Sequence, residues 1–274
     1  MKGNMVMLFF VSVSLLPFTI NDANAASYDI KDIGSCQSIS GTWDSTTSTC
    51  TISDLTLGSG DLLFVDNSAF PSLSLVITSS LENNGGAIKN SGGIMIGNSA
   101  VLDNNGSVVN YCTGQCAGGI IQNEGTITNY KAGTIKNNAT VNNQGSVNNS
   151  GEIAINNGTL VNAGKFINNP GGGVDNHGTV HNTQLSAIIN NGGTIVNYAT
   201  LVSDGGATIT NSGIFKSMCG ATFENNGDLF GNPVNSTSCV KSQGSTVPEF
   251  PLSVPVLLIA IFSSIMLHKI KTRA

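Results

Sequence analysis

NEGTIT (Asn123–Thr128), NQGSVN (Asn143–Asn148), NAGKFI (Asn162–Ile167) and NHGTVH (Asn176–His181) are copies of one phrase, N-x-G-x-[IVLF]-x. The phrase returns every six to eight residues from Asn83 to Asn232, with occasional insertions, and that window holds 29 asparagines and 27 glycines. Self-similarity of this kind marks a stacked repeat architecture. A helix is excluded, because glycine costs about 1 kcal/mol per helical position and asparagine competes for backbone hydrogen bonds. Disorder is the stronger rival for a polar, low-complexity segment. Against it stands a β-branched residue in nearly every copy, among them Val108, Ile127, Ile135, Val147, Ile153, Val180 and Ile195.

Side chains alternate faces along a strand. In Gly125-Thr126-Ile127-Thr128-Asn129, Ile127 and Asn129 therefore share one face and the two threonines the other. Ile inward, Thr outward and Asn entering a corner is the expected arrangement. The glycine two residues after each asparagine is read as a corner residue that tolerates positive φ. Stacked at about 4.8 Å, like lies over like, and asparagine amides can bond up and down the stack. Stacked aspartates would repel. The reading is all-β: a single parallel β-solenoid, a right-handed β-helix with disulfide-closed ends, between an N-terminal signal helix and a C-terminal hydrophobic helix. Three short sides give about 20 residues per coil and about seven coils, roughly 35 Å of rod.

Working outward, residues 26–82 are read as an N-terminal cap and first coils, 83–232 as the solenoid, and 233–247 as cap end and linker. Apolar strands LTL, LLFV and LSLVIT between Leu55 and Thr78 supply the first coils. Cys36 and Cys50 bracket Trp43 symmetrically, Cys219 and Cys239 bracket the last copies, and Tyr111-Cys112-TGQ-Cys116 reads as a loop projecting from a corner. Sequential pairing (Cys36–Cys50, Cys112–Cys116, Cys219–Cys239) is the simplest connectivity. In an oxidising exterior Cys112 and Cys116 form a disulfide rather than a metal site.

Charged residues make up 10% of the 274-residue chain, against about 25% in an ordinary soluble domain. The body from 26 to 247 has seven Lys, 14 acidic residues and no Arg, since Arg273 lies in the tail. Without arginine or a basic patch, nucleic-acid binding and phosphate clamps are excluded, and no cofactor is expected.

The ends set the compartment. Residues 1–25 carry Lys2, an apolar run from Met5 to Phe18 and the small-residue site Ala23-Asn24-Ala25. That is the pattern of a secretory signal peptide, and the run is short for a membrane span. Residues 248–274 contain Pro248-Glu249-Phe250, a charge-free apolar stretch from Leu252 to Leu267, and Lys269, Lys271 and Arg273. Basic residues stay on the cytoplasmic side, which leaves the body outside. This tail resembles the PEF-CTERM sorting signals of archaeal surface proteins. The resemblance implies cleavage near Pro248-Glu249-Phe250 by an archaeosortase-like processing enzyme and attachment to the membrane. Together with the Cys-Trp-Cys segment and the Asn/Gly coils, the chain resembles archaeal surface solenoid proteins.

Chemistry is sparse. Asp103, Glu124, Glu152, Asp175, Asp204, Glu224 and Asp228 are spread thinly, and a catalytic pair would have to assemble across coils. His177 and His181 lie near Asp175 but read as surface decoration, and Gly171-Gly172-Gly173 before Asp175 supplies a single copy of what calcium-binding repeats need several times. No catalytic, metal or cofactor residue is assigned. Sequons occur at Asn105, Asn138, Asn148, Asn157 and Asn235, with Asn235 preferred because it lies beyond the regular coils. Tyr130 and Tyr198 each follow a repeat asparagine and are expected to line one face. The expected function is a membrane-anchored surface protein, structural or adhesive and not an enzyme. Carbohydrate binding or cleavage, through surface glycans, and self-association into a filament are the alternatives.

Overall fold

The computed structural model describes residues 25–68, 72–111, 119–183 and 185–237. Its body is a parallel β-solenoid with three sides. One row of strands begins at Thr49–Leu57 and rises through Ser74–Asn83, Gly93–Ile96, Ile120–Asn123 and Thr140–Asn143 to Thr222–Asn225, by eight successive parallel pairings. The long first strands turn a corner and start a second row, which continues through Val101–Asn104, Thr126–Asn129 and Ser146–Asn149 to Asp228–Gly231. A third row runs from Ser27–Ile30 to Asn235–Ser236. At about 4.8 Å per rung the column is about 40 Å tall, one turn more than the repeat window alone predicts.

Each four-residue side follows the expected alternation. In Thr126–Asn129, Ile127 and Asn129 are buried while both threonines are half-exposed. The second residue of each strand builds three apolar columns, such as Leu81, Leu102, Ile127, Val147, Phe166, Ile189 and Ile209. The fourth builds the asparagine ladders. In the second row, Asn83, Asn104, Asn129, Asn149, Asn168 and Asn191 each donate from Nδ2 to the Oδ1 of the next, up to Asn211, at 2.7–2.9 Å. The same nitrogen reaches a backbone carbonyl one coil on, as from Asn129 to Glu152 at 3.1 Å. Sixteen asparagines among the described residues are buried, each 1% exposed or less. Buried amides survive because every donor finds an acceptor.

The repeat glycine has a different reason from the expected one. Gly125, Gly145, Gly164, Gly178 and Gly213 are not among the positive-φ residues. A Cβ on Gly145 would lie 2.0 Å from the Gly125 carbonyl oxygen, and on Gly164 2.2 Å from that of Gly145. That same Gly125 oxygen accepts the Ser146 amide at 2.9 Å. At these corners the coils approach closely and glycine is favoured because it has no Cβ to clash, although Ala139 and Ala199 hold the same place at two others. Positive φ occurs elsewhere, as at Gly171 (+88°) and Gly206 (+83°) in longer turns and at Gly231 (+89°) at the end of a strand.

The N-terminal end is covered. A helix, Ile33–Ser38, begins at Asp32, whose side chain accepts the Ser35 amide at 2.8 Å while Ser35 Oγ accepts the Asp32 amide at 3.0 Å. Thr42–Asp44 pairs antiparallel with Thr49–Thr51. Cys36 and Cys50 are disulfide-bonded, and Gly41 leaves no room for a Cβ, which would sit 2.6 Å from Cys36 Sγ. At the other end Phe223 packs edge-on against Phe215 at 5.1 Å, while Leu229 and Phe230 are exposed. Cys219 is disulfide-bonded in the turn before Thr222. Cys112, Cys116, Cys239, the signal segment 1–24, and Pro248, Glu249 and Phe250 with the tail lie outside the described residues. Among those described, no helix is long and apolar enough to cross a membrane.

Candidate functional site: a groove at the second corner

Corners after the second row run from two residues, as at Asn105-Gly106 and Ser150-Gly151, to four, as at residues 58–61 and 169–172 and at Tyr130-Lys131-Ala132-Gly133. The Tyr130 corner overhangs the coils beneath it. An open groove results, lined by Glu82, Asn84, Asp103, Asn105, Tyr130, Lys131 and Ala132. Glu82 and Asp103 are in register on neighbouring rungs. Each is the outward residue between two buried ones, Leu81 with Asn83 and Leu102 with Asn104. The ladder therefore fixes where these carboxylates point.

Tyr130 is 47% exposed. The Asp103 charge, with smaller contributions from burial and from a side-chain hydrogen bond to Asp103, raises its phenol above the ordinary value. A ring held by its hydroxyl, two carboxylates, two amides and an ammonium form a polar groove with one hydrophobic plane. Such a set suits a hydroxyl-rich ligand: carboxylates take strong hydrogen bonds from hydroxyls, and the ring covers an apolar face. The carboxylates stand one rung, about 4.8 Å, apart, close to the roughly 5 Å of a retaining glycosidase. They rise from one side of a flat sheet, however, and do not flank a bond from opposite sides.

Glu82 lies one residue before the repeat window, which starts at Asn83, so the repeat alone does not point to it. The signal was its offset: Glu82 and Asp103 are one coil apart in sequence, so acids at coil-length spacing are neighbours.

The other singled-out residues are not gathered. His177 stacks on Tyr198, with centroids 4.2 Å apart, and His181 Nε2 lies 3.0 Å from Asp204 Oδ1. Among the described residues no three His, Cys, Asp or Glu side chains cluster as metal ligands. Tyr130 and Tyr198 do not share a face: Tyr130 follows the second-row strand Thr126–Asn129, and Tyr198 follows the third-row strand Thr194–Asn197. The local motif is blind to which of three sides it ends, so the expected tyrosine stripe does not form. Asn235 is exposed in the last strand.

No protein-family model, no curated protein and no solved structure matches this chain.

Proposed function

We propose that the chain is an exported surface rod, structural or adhesive and not catalytic, with its body outside the cell and its C-terminal tail as membrane anchor. One observation carries this reading most: the solenoid interior is wholly used by its own apolar columns and ladders, so function is left to outward surfaces on a stiff column. The covered N-terminal end fits a rod that stands alone, and the low charge and absent arginine of the body fit a non-enzymatic surface. The same reading includes a right-handed coil, pairing of Cys219 with Cys239 and of Cys112 with Cys116, removal of residues 1–25, and processing near Pro248-Glu249-Phe250 by an archaeosortase-like enzyme. Fractionation, protease shaving of intact cells and mass measurement of both termini test it. A surface-shaved chain lacking residues 1–25 is the expected result; a full-length, protease-protected intracellular chain would overturn it.

A second reading is favoured by the Glu82–Asp103 pair: a carbohydrate-binding or carbohydrate-cleaving groove. Retention of a polysaccharide by the wild type and its loss in Tyr130→Ala would support binding. Release of reducing ends that disappears in Glu82→Gln and Asp103→Asn would replace the non-catalytic reading with an enzymatic one.

A further inference from the structure

We infer that Asn105, Asn138 and Asn157 are acceptors for N-linked glycans, whereas the sequons at Asn148 and Asn235 are passed over. This rests on the export proposed above, because glycan transfer of this kind serves chains carried to the exterior.

All five sequons lie on the outside of the coils, and none of the sixteen buried asparagines begins one. The geometry accounts for this. A ladder asparagine closes a strand, and in a two-residue corner the second residue after it is the glycine or alanine that approaches the coil below. Serine or threonine comes one place later, as the first outward residue of the next side. Shifting the frame by one therefore makes the solvent-facing corner residue the acceptor. Asn105-Gly106-Ser107 and Asn138-Ala139-Thr140 have this form, and Asn157-Gly158-Thr159, in a three-residue corner after Ile155, presents the same order; all three have an exposed asparagine and a partly exposed Ser or Thr. Asn105 lines the Tyr130 groove, so a glycan there changes what the groove admits.

The remaining two differ in the atom that defines a sequon. Asn148 sits within the strand Ser146–Asn149, half-buried between Thr128 and Ile167, and Ser150 Oγ accepts the Asn169 side-chain amide at 3.0 Å. Asn235 is exposed, but Thr237 Oγ1 donates to the Ser217 carbonyl at 3.2 Å. A hydroxyl already committed to the fold is withdrawn from a transferase that requires it. This assignment differs from the preference for Asn235 that sequence position alone suggests.

In the transfer, the asparagine Nδ2 attacks C1 of a glycan carried on a polyprenyl phosphate. The C1–N bond forms as the C1–O bond to phosphate breaks, the electron pair leaves with the lipid phosphate, and a transferase base takes one amide proton. No oxidant or reductant is needed.

Glycopeptide mass spectrometry of the full chain from its own cells is the test. Glycan mass is expected on peptides carrying Asn105, Asn138 and Asn157, each removed by the matching Asn→Gln change, with bare Asn148 and Asn235. Bare peptides at all three on a chain that has lost residues 1–25 would overturn the inference and leave export standing. A cytoplasmic chain that keeps those residues would instead overturn export. The purified full-length chain is then given to membranes holding an oligosaccharyltransferase and its lipid-linked glycan. Transfer to the three corners supports the assignment, and none defeats it.

Discussion

The first coils and the middle coils fill the same inward position differently. Leu57, Val65, Ile77 and Ile96 occupy the fourth place of the early strands, and asparagines occupy it above them. An apolar column needs only volume, whereas a ladder binds each coil to the next through one donor and one acceptor. That pairing is directional, with every Nδ2 pointing toward the C-terminal end. Its consequence shows at the junction. Asn83 rests on Leu57, Asn90 on Val65 and Asn123 on Ile96, and the buried Oδ1 of each has no hydrogen-bond partner. The early coils are held by burial, the later ones by burial plus register. A slip of one residue turns the apolar residues of either region toward solvent, and in the later coils it also unpairs the amides.

The largest break is a charge inside a ladder. Asn149 donates to Gly151 O, Asn168 Oδ1 and Gly173 O. Asn149→Asp turns that donor into a buried carboxylate facing three acceptors, with an expected loss of about 3–5 kcal/mol in urea unfolding. Leu75→Ala in the apolar coils should lose about 2–5 kcal/mol through its cavity, with no dependence on the neighbouring rung. Next comes the cap: Cys36→Ala with Cys50→Ala opens a 14-residue separation and should lose about 3 kcal/mol. Gly145→Ala drives a Cβ against the Gly125 oxygen and should lose about 1–3 kcal/mol. If Gly145→Ala were neutral, the close-approach account of the repeat glycine would be wrong. Asn83→Leu is expected within about 1 kcal/mol, because it continues the apolar column and removes an orphaned acceptor, while Asn104 Oδ1 keeps the Gly106 amide at 3.3 Å.

Much of this was legible locally. Alternation in Thr126-Ile127-Thr128-Asn129 named inside and outside correctly, and Asn over Asp followed from charge. Three features needed the stack. Corner glycines are favoured by a carbonyl one coil away, Tyr130 and Tyr198 end different sides, and Glu82 meets Asp103 only because a coil brings them together. The Ile155 interruption is equally non-local: Asn176 above it takes the Gly178 amide at 3.1 Å, so no orphan results there.

The finest test falls where the two kinds of coil meet, since Glu82 adjoins the first ladder rung and Asp103 the second. The negative charge of Asp103 favours the neutral phenol of Tyr130, so its folded pKa lies above the usual value of about 10. A raised folded pKa contributes stability in full below about pH 10 and loses it as pH rises through the folded value. Asp103→Asn removes the charge, and the Tyr130 transition, followed by tyrosinate absorbance and identified by its loss in Tyr130→Phe, should move down toward the ordinary range. Tyr111, raised chiefly by burial, should not move and serves as the internal control. An unchanged Tyr130 midpoint would separate the ring from Asp103 and remove the groove's anchored wall, leaving only two carboxylates on a flat face.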